Sequence, residues 1–388
     1  MAVYSPFDAA TLRDHATDYA RLLAEEPVSR FEGYDPPFYI LSRYEDVEAA
    51  LRNIEAFSSQ QGQGPRYTPP SGMVCDPPMH TLHRGLVQQA FTPGAIRALT
   101  PRIEAQTTAL LDAVADRPAF DIHDDFAFPL PVVIISEMLG VPAEDIQQFK
   151  HWSDASVEAM GAEDPTPWMP DLEALGAYIL GQIQARRASA TPPDDLITRM
   201  VVAESDGVRL EDQAILGLVS QLLVGGNETT TSLITNVVWR LLEDRALWER
   251  VVAEPALIDR AVEESLRFDP PVLALYRTAT HDVTVRGVEI PGGAKVMLHY
   301  AAGNRDPAVF EDPDRFWLDR PPRKHLSFAI GVHVCIGQEM ARLEARIALR
   351  ALVTRFPDLE LVDRGERIKP FFLWGRRRLP VRRGAASS

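Results

Sequence analysis

A single cysteine in the last quarter of the chain stands in a setting that favours metal binding. Cys335 ends a glycine-punctuated stretch, and Met340, Leu343 and Ile347 follow it at helical spacing. The cysteine is therefore predicted at or near a helix N-terminus, where unpaired N–H groups and the helix dipole stabilise an anion. Such surroundings lower the pKa of a thiol and make the thiolate a good ligand for a soft metal. Structural zinc is disfavoured, because His333 is the one further nitrogen or sulfur ligand nearby.

The residues around Cys335 form the pattern F-x-x-G-x-H-x-C-x-G, which begins at Phe328, includes Gly331 and His333, and ends at Gly337. The glycines let the backbone turn sharply and let a flat group approach closely, and the phenylalanine adds an aromatic face. A buried structural cysteine is the competing interpretation. The pattern resembles the heme-binding loop of the cytochrome P450 superfamily. The resemblance implies a heme b iron held by the Cys335 thiolate, with His333 reaching a heme propionate and residues 327–355 forming the loop and its helix.

Composition narrows the class of protein. The chain has 388 residues, 46% of them hydrophobic and 24% charged, as in an ordinary globular protein. Its formal net charge of −15 argues against nucleic acid or an anionic membrane as the main partner. Cys75 and Cys335 cannot build a disulfide framework, so a reducing cytoplasm is expected. With no signal peptide and no run of 18 apolar residues, no membrane segment is expected.

A long proline-free stretch over residues 210–243 predicts a central helix that is apolar on nearly every side and hence buried. Gly225 and Gly226 each cost such a helix about 1 kcal/mol relative to alanine, which marks a candidate functional position. Thr229 is placed to hydrogen-bond back to the carbonyl of Gly225. A helix crossing that needs small residues would also explain the glycines, although a buried Glu228 does not suit it.

The central segment resembles the P450 motif [AG]-G-x-[DE]-T. This resemblance implies that the helix lies over the heme, that the Thr229 hydroxyl hydrogen-bonds oxygen during its activation, and that Glu228 relays protons from solvent.

Three further stretches resemble P450 motifs that support the heme. His80 and Arg84 are spaced to share one helix face, which suits a pair of carboxylates, although a solvated face would show the same spacing. Resemblance to the H-x-x-x-R helix of the family implies that His80 and Arg84 bind the heme propionates. Resemblance of the segment that carries Arg277 implies that this residue also binds a propionate. The E-x-x-R and P-x-R-F resemblances imply a buried triad that folds the cysteine loop, made of Glu264, Arg267 and Arg315.

The remaining segments indicate where a substrate would bind. The Gln-, Gly- and Pro-rich residues 58–78 predict a lid loop, with disorder as the alternative, and residues 142–190 predict two mobile roof helices around a proline-rich break. The candidate pocket residues are Tyr67, Leu222, Gly225, Leu273, Leu275 and Phe372. They are apolar except for Tyr67, whose hydroxyl is the one expected hydrogen bond to a substrate.

Five motifs in family order imply one P450 domain over residues 1–388, mainly α with small β-sheets and monomeric. The implied activity is a monooxygenase reaction, in which one atom of O₂ enters a terpenoid, aromatic or steroid-like substrate by hydroxylation or epoxidation, and the Cys335 thiolate assists O–O cleavage. Because no flavin or iron–sulfur module is visible, a separate ferredoxin and its reductase are expected to supply electrons. The candidate docking residues are Arg323, Lys324, Arg342 and Arg346. A peroxide-driven peroxygenase and a non-catalytic gas sensor remain as alternatives.

Overall fold

The computed structural model describes residues 4–8, 11–12, 16–162, 164–205 and 208–384 of the chain. The helices in these ranges are α1 (Ala16–Ala24), α2 (Tyr44–Arg52), α3 (Met79–Gln88), α4 (Pro93–Ala98), α5 (Thr100–Val114), α6 (Pro129–Leu139), α7 (Ile146–Gly161), α8 (Met169–Ala188), α9 (Leu196–Val202), α10 (Asp212–Glu243), α11 (Arg245–Ala253), α12 (Ile258–Phe268), α13 (Tyr300–Gly303) and α14 (Gln338–Arg355). The strands are β1 (Val28–Phe31), β2 (Phe38–Leu41), β3 (Phe57–Ser58), β4 (Ala119–Asp121), β5 (Glu204–Ser205), β6 (Val208–Arg209), β7 (Leu275–Ala279), β8 (Val283–Val285), β9 (Val288–Ile290), β10 (Lys295–Leu298), β11 (Leu359–Leu361), β12 (Glu366–Arg367), β13 (Arg376–Arg378) and β14 (Pro380–Arg383).

The chain folds into two compact units, each assembled from separate stretches of sequence. The sheet unit comprises residues 1–80, 263–335 and 371–374. The helical unit comprises residues 81–262, 336–370 and 375–388. The helices account for most of the regular structure in the described ranges, and the sheets have two to five short strands. The fold is thus mainly α with small β-sheets, as the sequence predicts.

The sheet unit is built on five strands in the order β1-β2-β10-β7-β3. Strand β10 runs parallel to β2 and antiparallel to β7. Because successive side chains of a strand point to opposite faces, β2, β7 and β10 contribute to two hydrophobic cores. One core includes Phe38, Ile40, Tyr276 and Met297. The other includes Leu41, Ala279, Val296 and Leu298. Two cations, Arg277 of β7 and Lys295 of β10, are buried by this sheet.

The helical unit is organised around α10, a helix of 32 residues that is about 48 Å long at 1.5 Å per residue. It packs against α6, α7, α8 and α14, which explains why its sequence is apolar on nearly every side. Gly226 serves one of these crossings, since a Cβ there would lie 3.4 Å from Cγ1 of Ile135 on α6. The two helices expected between residues 142 and 190 are confirmed as α7 and α8.

The region between β3 and α3 contains no helix, as the sequence predicts for residues 58–78. Among the residues that the structure describes, every helix is too short or too polar to span a lipid bilayer.

Candidate active site

Hydrogen bonds from three directions hold the loop that leads to Cys335. The backbone N–H of Cys335 donates to the carbonyl of Phe328 at 2.8 Å, which closes the loop on itself. At its start, the N–H of Leu326 donates to Oδ1 of Asn304 at 2.7 Å. The Ser327 hydroxyl donates to the carbonyl of Leu266 at 2.6 Å. The Cys335 side chain is exposed, so its thiol is accessible to a ligand.

Two residues of this loop have a left-handed backbone. Gly331 has φ of +80°, and a Cβ at this position would lie 2.8 Å from the backbone carbonyl oxygen of Leu51. Glycine is therefore required by both conformation and space. Ala329, with φ of +55°, adopts the left-handed region without that freedom. The loop thus carries local strain, a feature that clusters at functional sites.

Two histidines of the sheet unit lie together. The rings of His80 and His333 are 4.2 Å apart between centroids and inclined by 58°. His80 is buried at the start of α3, and His333 ends a short 3₁₀ turn that begins at Gly331. Arg84 lies four residues after His80 on α3, as the sequence predicts. Two imidazoles distant in sequence therefore share one location beside the cysteine loop.

Arg277 of β7 is buried, and its Nη1 donates to the carbonyl of Tyr276 at 2.8 Å. Burial raises the pKa of the nearby Tyr300 hydroxyl, and the positive charge of Arg277 partly offsets that effect. Lys295 on β10 has its pKa lowered to about 8, first by burial and then by the charge of Arg277. The sheet unit thus keeps two cations close together in its interior.

The E-x-x-R pair forms as predicted, but its partner does not. Nε and Nη2 of Arg267 donate to the Glu264 carboxylate at 2.8 and 2.7 Å. The second arginine on this carboxylate is Arg320, whose Nε lies 3.1 Å from each oxygen. Arg315 is exposed and contributes its backbone carbonyl, 3.2 Å from Nη2 of Arg267. The prediction of Arg315 as the third charged member is therefore wrong. The Arg315 side chain is exposed, whereas Arg320, five residues later, reaches the Glu264 carboxylate.

Thr229, in the middle of α10, makes the side-chain bond that the sequence predicts. The Thr229 hydroxyl donates to the carbonyl of Gly225 at 2.6 Å, which confirms the expected bond within the helix. Gly225 is exposed although most of α10 is buried, and a Cβ there would meet no atom within 4 Å outside its own helix. The two glycines thus differ in role: Gly226 fits a helix crossing, whereas Gly225 leaves open space beside Thr229.

Glu228, next to Thr229, is a buried acid. Its side chain is 6% exposed, and burial raises its pKa to about 8, with the charge of Asp154 as the next cause. Its Oε1 atom has no hydrogen-bond partner within the described part of the chain. A carboxyl with this pKa is mostly protonated at neutral pH, so Glu228 can hold a proton inside the protein.

Comparison with known proteins decides the family of this chain. The family profile described as Cytochrome P450 matches residues 9–374. The chain belongs to the cytochrome P450 family. The match crosses both units, so a single family domain includes them.

Named relatives agree with this assignment. The chain is 39% identical over 378 residues to "Cytochrome P450 109" of Bacillus spizizenii, covering 94% of this chain and 90% of that protein. It is 40% identical over 362 residues to the erythromycin C-12 hydroxylase of Saccharopolyspora erythraea, covering 89% of each. Among solved structures, the bacillaene polyketide synthase P450 PksS of Bacillus subtilis matches with a TM-score of 0.91 and 34% identity, covering 99% of this chain and 100% of that one. The chain is thus an oxidoreductase of the P450 monooxygenase type.

Cytochrome P450 proteins bind heme b, and the residues of this chain fit that group. The sheet unit presents an exposed thiol at Cys335, which as a thiolate is a suitable ligand for heme iron. In the helical unit, Gly225 and Gly337 each leave open space where a side chain would stand. The imidazoles and guanidinium groups described above are donors that suit two propionate carboxylates.

The predicted pocket residues are distributed over both units. In the sheet unit, Leu273 is buried and its N–H donates to the carbonyl of Phe372 at 2.8 Å, while Leu275 and Phe372 are half-buried. In the helical unit, Leu222 is buried on α10. The Tyr67 hydroxyl donates to the carbonyl of Gly293 at 2.6 Å, which leaves only its lone pairs for a substrate. A substrate bond to Tyr67 stays a prediction.

Sequence reasoning missed three residues of this region. Asn304 anchors the cysteine loop, Arg320 completes the Glu264 cluster, and Lys295 holds the loop after β3 through the carbonyls of Gln61 and Gly62, at 2.6 and 3.1 Å. A cation in a strand otherwise made of apolar residues was the available signal for Lys295. The partners of the other two lie too far along the chain to be found from spacing.

Proposed function

We propose that this cytochrome P450 hydroxylates or epoxidises a small to medium hydrophobic substrate with electrons from a separate ferredoxin and its reductase. The overall hydroxylation takes one O₂, two electrons and two protons. It places one oxygen atom in a C–H bond of the substrate and releases the other as water. Terpenoid, aromatic and steroid-like compounds are the substrate classes to be tested.

In this proposal Cys335 supplies the thiolate that binds the heme iron. His333, His80, Arg84 and Arg277 bind the propionates. Phe328 contacts the ring, Gly225 and Gly337 leave room for it, and Gly331 provides the turn of the loop that presents Cys335. Heme b supplies the chemistry of oxygen reduction and transfer when bound. The protein residues provide orientation, protons and exclusion of water.

The bond between Thr229 and Gly225 is the observation that carries the proposal. It orients the Thr229 hydroxyl at a point where α10 has open space, and the residue just before Thr229 is Glu228 with its protonated carboxyl. A hydroxyl paired with a protonated acid can pass protons inward without admitting bulk water. A peroxygenase or a gas sensor gains nothing from such a pair, and the proposal therefore favours the O₂-dependent reaction.

The hydrophobic substrate is inferred from side chains. Leu222, Leu273, Leu275 and Phe372 are apolar and buried or half-buried. Apolar walls with few polar groups are typical of sites that bind apolar ligands. One relative, 40% identical to this chain, is named Erythromycin C-12 hydroxylase, which supports the proposal of a hydroxylation reaction.

A ferredoxin partner is proposed from exposed cations. Arg323 and Lys324 are exposed in the sheet unit, shortly before the cysteine loop. In the helical unit, Nη1 of Arg342 lies 3.1 Å from Oε1 of Glu339 and Nε of Arg346 lies 3.2 Å from Oδ1 of Asp259. We expect the first two to affect the rate of docking most, because within the described part of the chain their charges are not bound in such pairs. We also propose that the monooxygenase acts as a monomer.

Reconstitution tests the proposal. Purified holoenzyme with ferredoxin, reductase, NADH and a substrate identified by its shift of the heme absorption should form an oxygenated product. Thr229→Ala should retain heme and divert electrons to peroxide, whereas Cys335→Ala should lose the absorption band of the thiolate–carbon monoxide complex. Unchanged product per NADH in Thr229→Ala would show that the assignment of the proton path is wrong. Product formed with peroxide alone would favour the peroxygenase, and no turnover under any condition would favour a sensor.

A further inference from the structure

A second carboxyl lies against the Glu228 segment, on the neighbouring helix α7. Helices α7 and α10 pack together in the helical unit. Nδ2 of Asn227 donates to the buried hydroxyl of Ser153 at 3.0 Å, which fixes the two helices at this level. The next residue on each helix is an acid, Glu228 on α10 and Asp154 on α7. The contact therefore places a buried carboxyl on α10 and a half-buried carboxyl on α7 at the same level of the helix packing.

The charges around these acids come from several elements. The carboxyls of Asp154 and Glu158 on α7 raise the pKa of Glu228 beyond the effect of burial, and Arg377 of β13 opposes them. Burial raises the pKa of Asp154 as well, and Arg377, Lys150 and His151 counteract that rise. The two acids thus share one electrostatic environment and one dominant cation.

Arg377 connects this environment to solvent. Its side chain is 50% exposed, and Nη1 lies 2.9 Å from Oδ1 of Asp124 and 3.0 Å from Nδ1 of His123. The strand that carries it lies close against α10, because a Cβ on Gly375 would be 2.2 Å from Oγ of Ser232. Glycine at 375 is therefore needed for the approach, and Arg377 follows two residues later with its charge near both acids.

We propose that Asp154 delivers protons from solvent to Glu228. Asp154 takes a proton at the exposed edge formed with Arg377 and passes it to Glu228 after Glu228 has donated its own, so both carboxyls return to their starting states. This inference rests on the proposed role of Glu228. Asp154 acts on the reaction through Glu228 and is therefore a positioning residue.

The first test measures the proton on Glu228 directly. Infrared difference spectra of the substrate-free holoenzyme are recorded against pH, and the carboxylic C=O band that disappears in Glu228→Gln is followed. Asp154→Asn should shift the midpoint of this band to lower pH, because a neighbouring negative charge is lost. Glu158→Gln should shift it less, and Arg377→Gln should shift it to higher pH. A midpoint that Asp154→Asn leaves in place overturns the proposal.

The second test measures the delivery of protons. Asp154→Asn should lower the rate of product formation at least about tenfold and raise the solvent deuterium isotope effect, because a carboxyl that carries protons is lost. Asp154→Glu keeps a carboxyl, so its rate of product formation and its solvent deuterium isotope effect should match those of the unchanged protein. Asp194→Asn is the matched control, since Asp194 is 85% exposed and pairs with Arg199 on the surface.

The outcomes separate this inference from the proposed function. If Glu228→Gln lowers product formation and Asp154→Asn does not, Glu228 keeps its role and Asp154 has none. If Glu228→Gln itself leaves product formation unchanged, the proposed role of Glu228 is wrong and this inference falls with it. If Asp154→Asn fails to fold, Arg377→Gln takes its place in the infrared test, because Arg377 is half-exposed and its replacement should be tolerated. An unchanged midpoint in Arg377→Gln then also overturns the proposal.

Discussion

The side-chain oxygen of Asn304 accepts a hydrogen bond of 2.7 Å from the backbone N–H of Leu326, at the start of the cysteine loop. Its amide nitrogen donates to the hydroxyl of Ser327 at 2.9 Å. Its backbone carbonyl accepts from Nη1 of Arg267 at 2.9 Å. One asparagine therefore links the Glu264–Arg267 pair to the loop that presents Cys335.

Asn304→Ala is expected to destabilise the loop more than the rest of the protein. The N–H of Leu326 is buried, and leaving such a donor unpaired costs about 1–3 kcal/mol. The thiolate–carbon monoxide absorption band should therefore be lost at a lower urea concentration than in the unchanged protein.

Asn53→Ala is the matched control, because Asn53 is exposed and its Oδ1 accepts from the N–H of Ala56 at 3.1 Å. Exposed groups regain water when a partner is lost, so we expect a smaller effect. Equal loss of the band in both variants would contradict the special role of Asn304.

The Glu264 cluster shows how far spacing alone predicts structure. Glu264 and Arg267 are three residues apart on one helix, so helical geometry determines their contact and the sequence predicts it. Arg320 reaches the same carboxylate from 56 residues away. Its contact depends on the path of the intervening irregular chain, which no periodic pattern encodes, and Arg315 therefore seemed the better candidate.

Arg320→Met and Arg315→Met should have very different effects. The Arg320 side chain is 9% exposed and the Glu264 side chain 4%, and breaking a buried ion pair costs about 3–5 kcal/mol when a charge is left uncompensated. Glu264 keeps its pair with Arg267, so we expect Arg320→Met to lose about 3 kcal/mol, the lower end of that range. Arg315 is exposed, so its change should stay within about 0.5 kcal/mol. Urea unfolding of the two variants measures the difference, and comparable losses would show that Arg315 also stabilises the cluster.

The central helix was predicted more fully than the lid loop for a physical reason. The Thr229–Gly225 bond joins residues one turn apart, so recognising the helix was enough to predict it. The Tyr67 hydroxyl instead bonds to Gly293, 226 residues away. Such a partner is selected by tertiary packing, and the exposed position in a polar loop gave no sign of it.

Glu344→Gln is expected to protect the protein at alkaline pH. Glu344 of α14 is buried, and burial raises the pKa of its carboxyl from 4.5 to about 8. Between these values the folded protein keeps a proton that the unfolded chain has released, so stability falls as pH rises through this window. The neutral amide does not titrate. The variant should match the unchanged protein at about pH 4, below the unfolded pKa, and exceed its free energy of unfolding by a few kcal/mol at about pH 9.

Urea unfolding across that pH range measures the effect, with Glu339→Gln as the control. Glu339 is on the same helix but its side chain is 54% exposed, so its neutralisation should leave the pH dependence unchanged. Glu228 still titrates in the Glu344→Gln variant and keeps part of the slope. Parallel curves for the variant and the unchanged protein would mean that Glu344 is not neutral in the folded state.

Lys295→Met is expected to release the loop after β3. The ammonium group donates to the carbonyls of Gln61 and Gly62, and Nζ lies 5.0 Å from the centroid of the Tyr67 ring. Methionine keeps much of the apolar stem and loses these contacts. Hydrogen bonds to charged groups contribute about 1.5–3 kcal/mol, so amide exchange in this loop should become roughly 10- to 100-fold faster.

Hydrogen–deuterium exchange at the N–H of Thr68, which donates to the carbonyl of Gln61 at 3.1 Å, reports the release of this loop. Lys324→Met is the control, because Lys324 is exposed and its loss should not change exchange at Thr68. Tyr67→Phe separates the two attachments, since it removes the bond to Gly293 and keeps the ring over the ammonium group. If Lys295→Met leaves Thr68 protected and Tyr67→Phe does not, the hydroxyl of Tyr67 holds the loop and the buried lysine stabilises only the sheet.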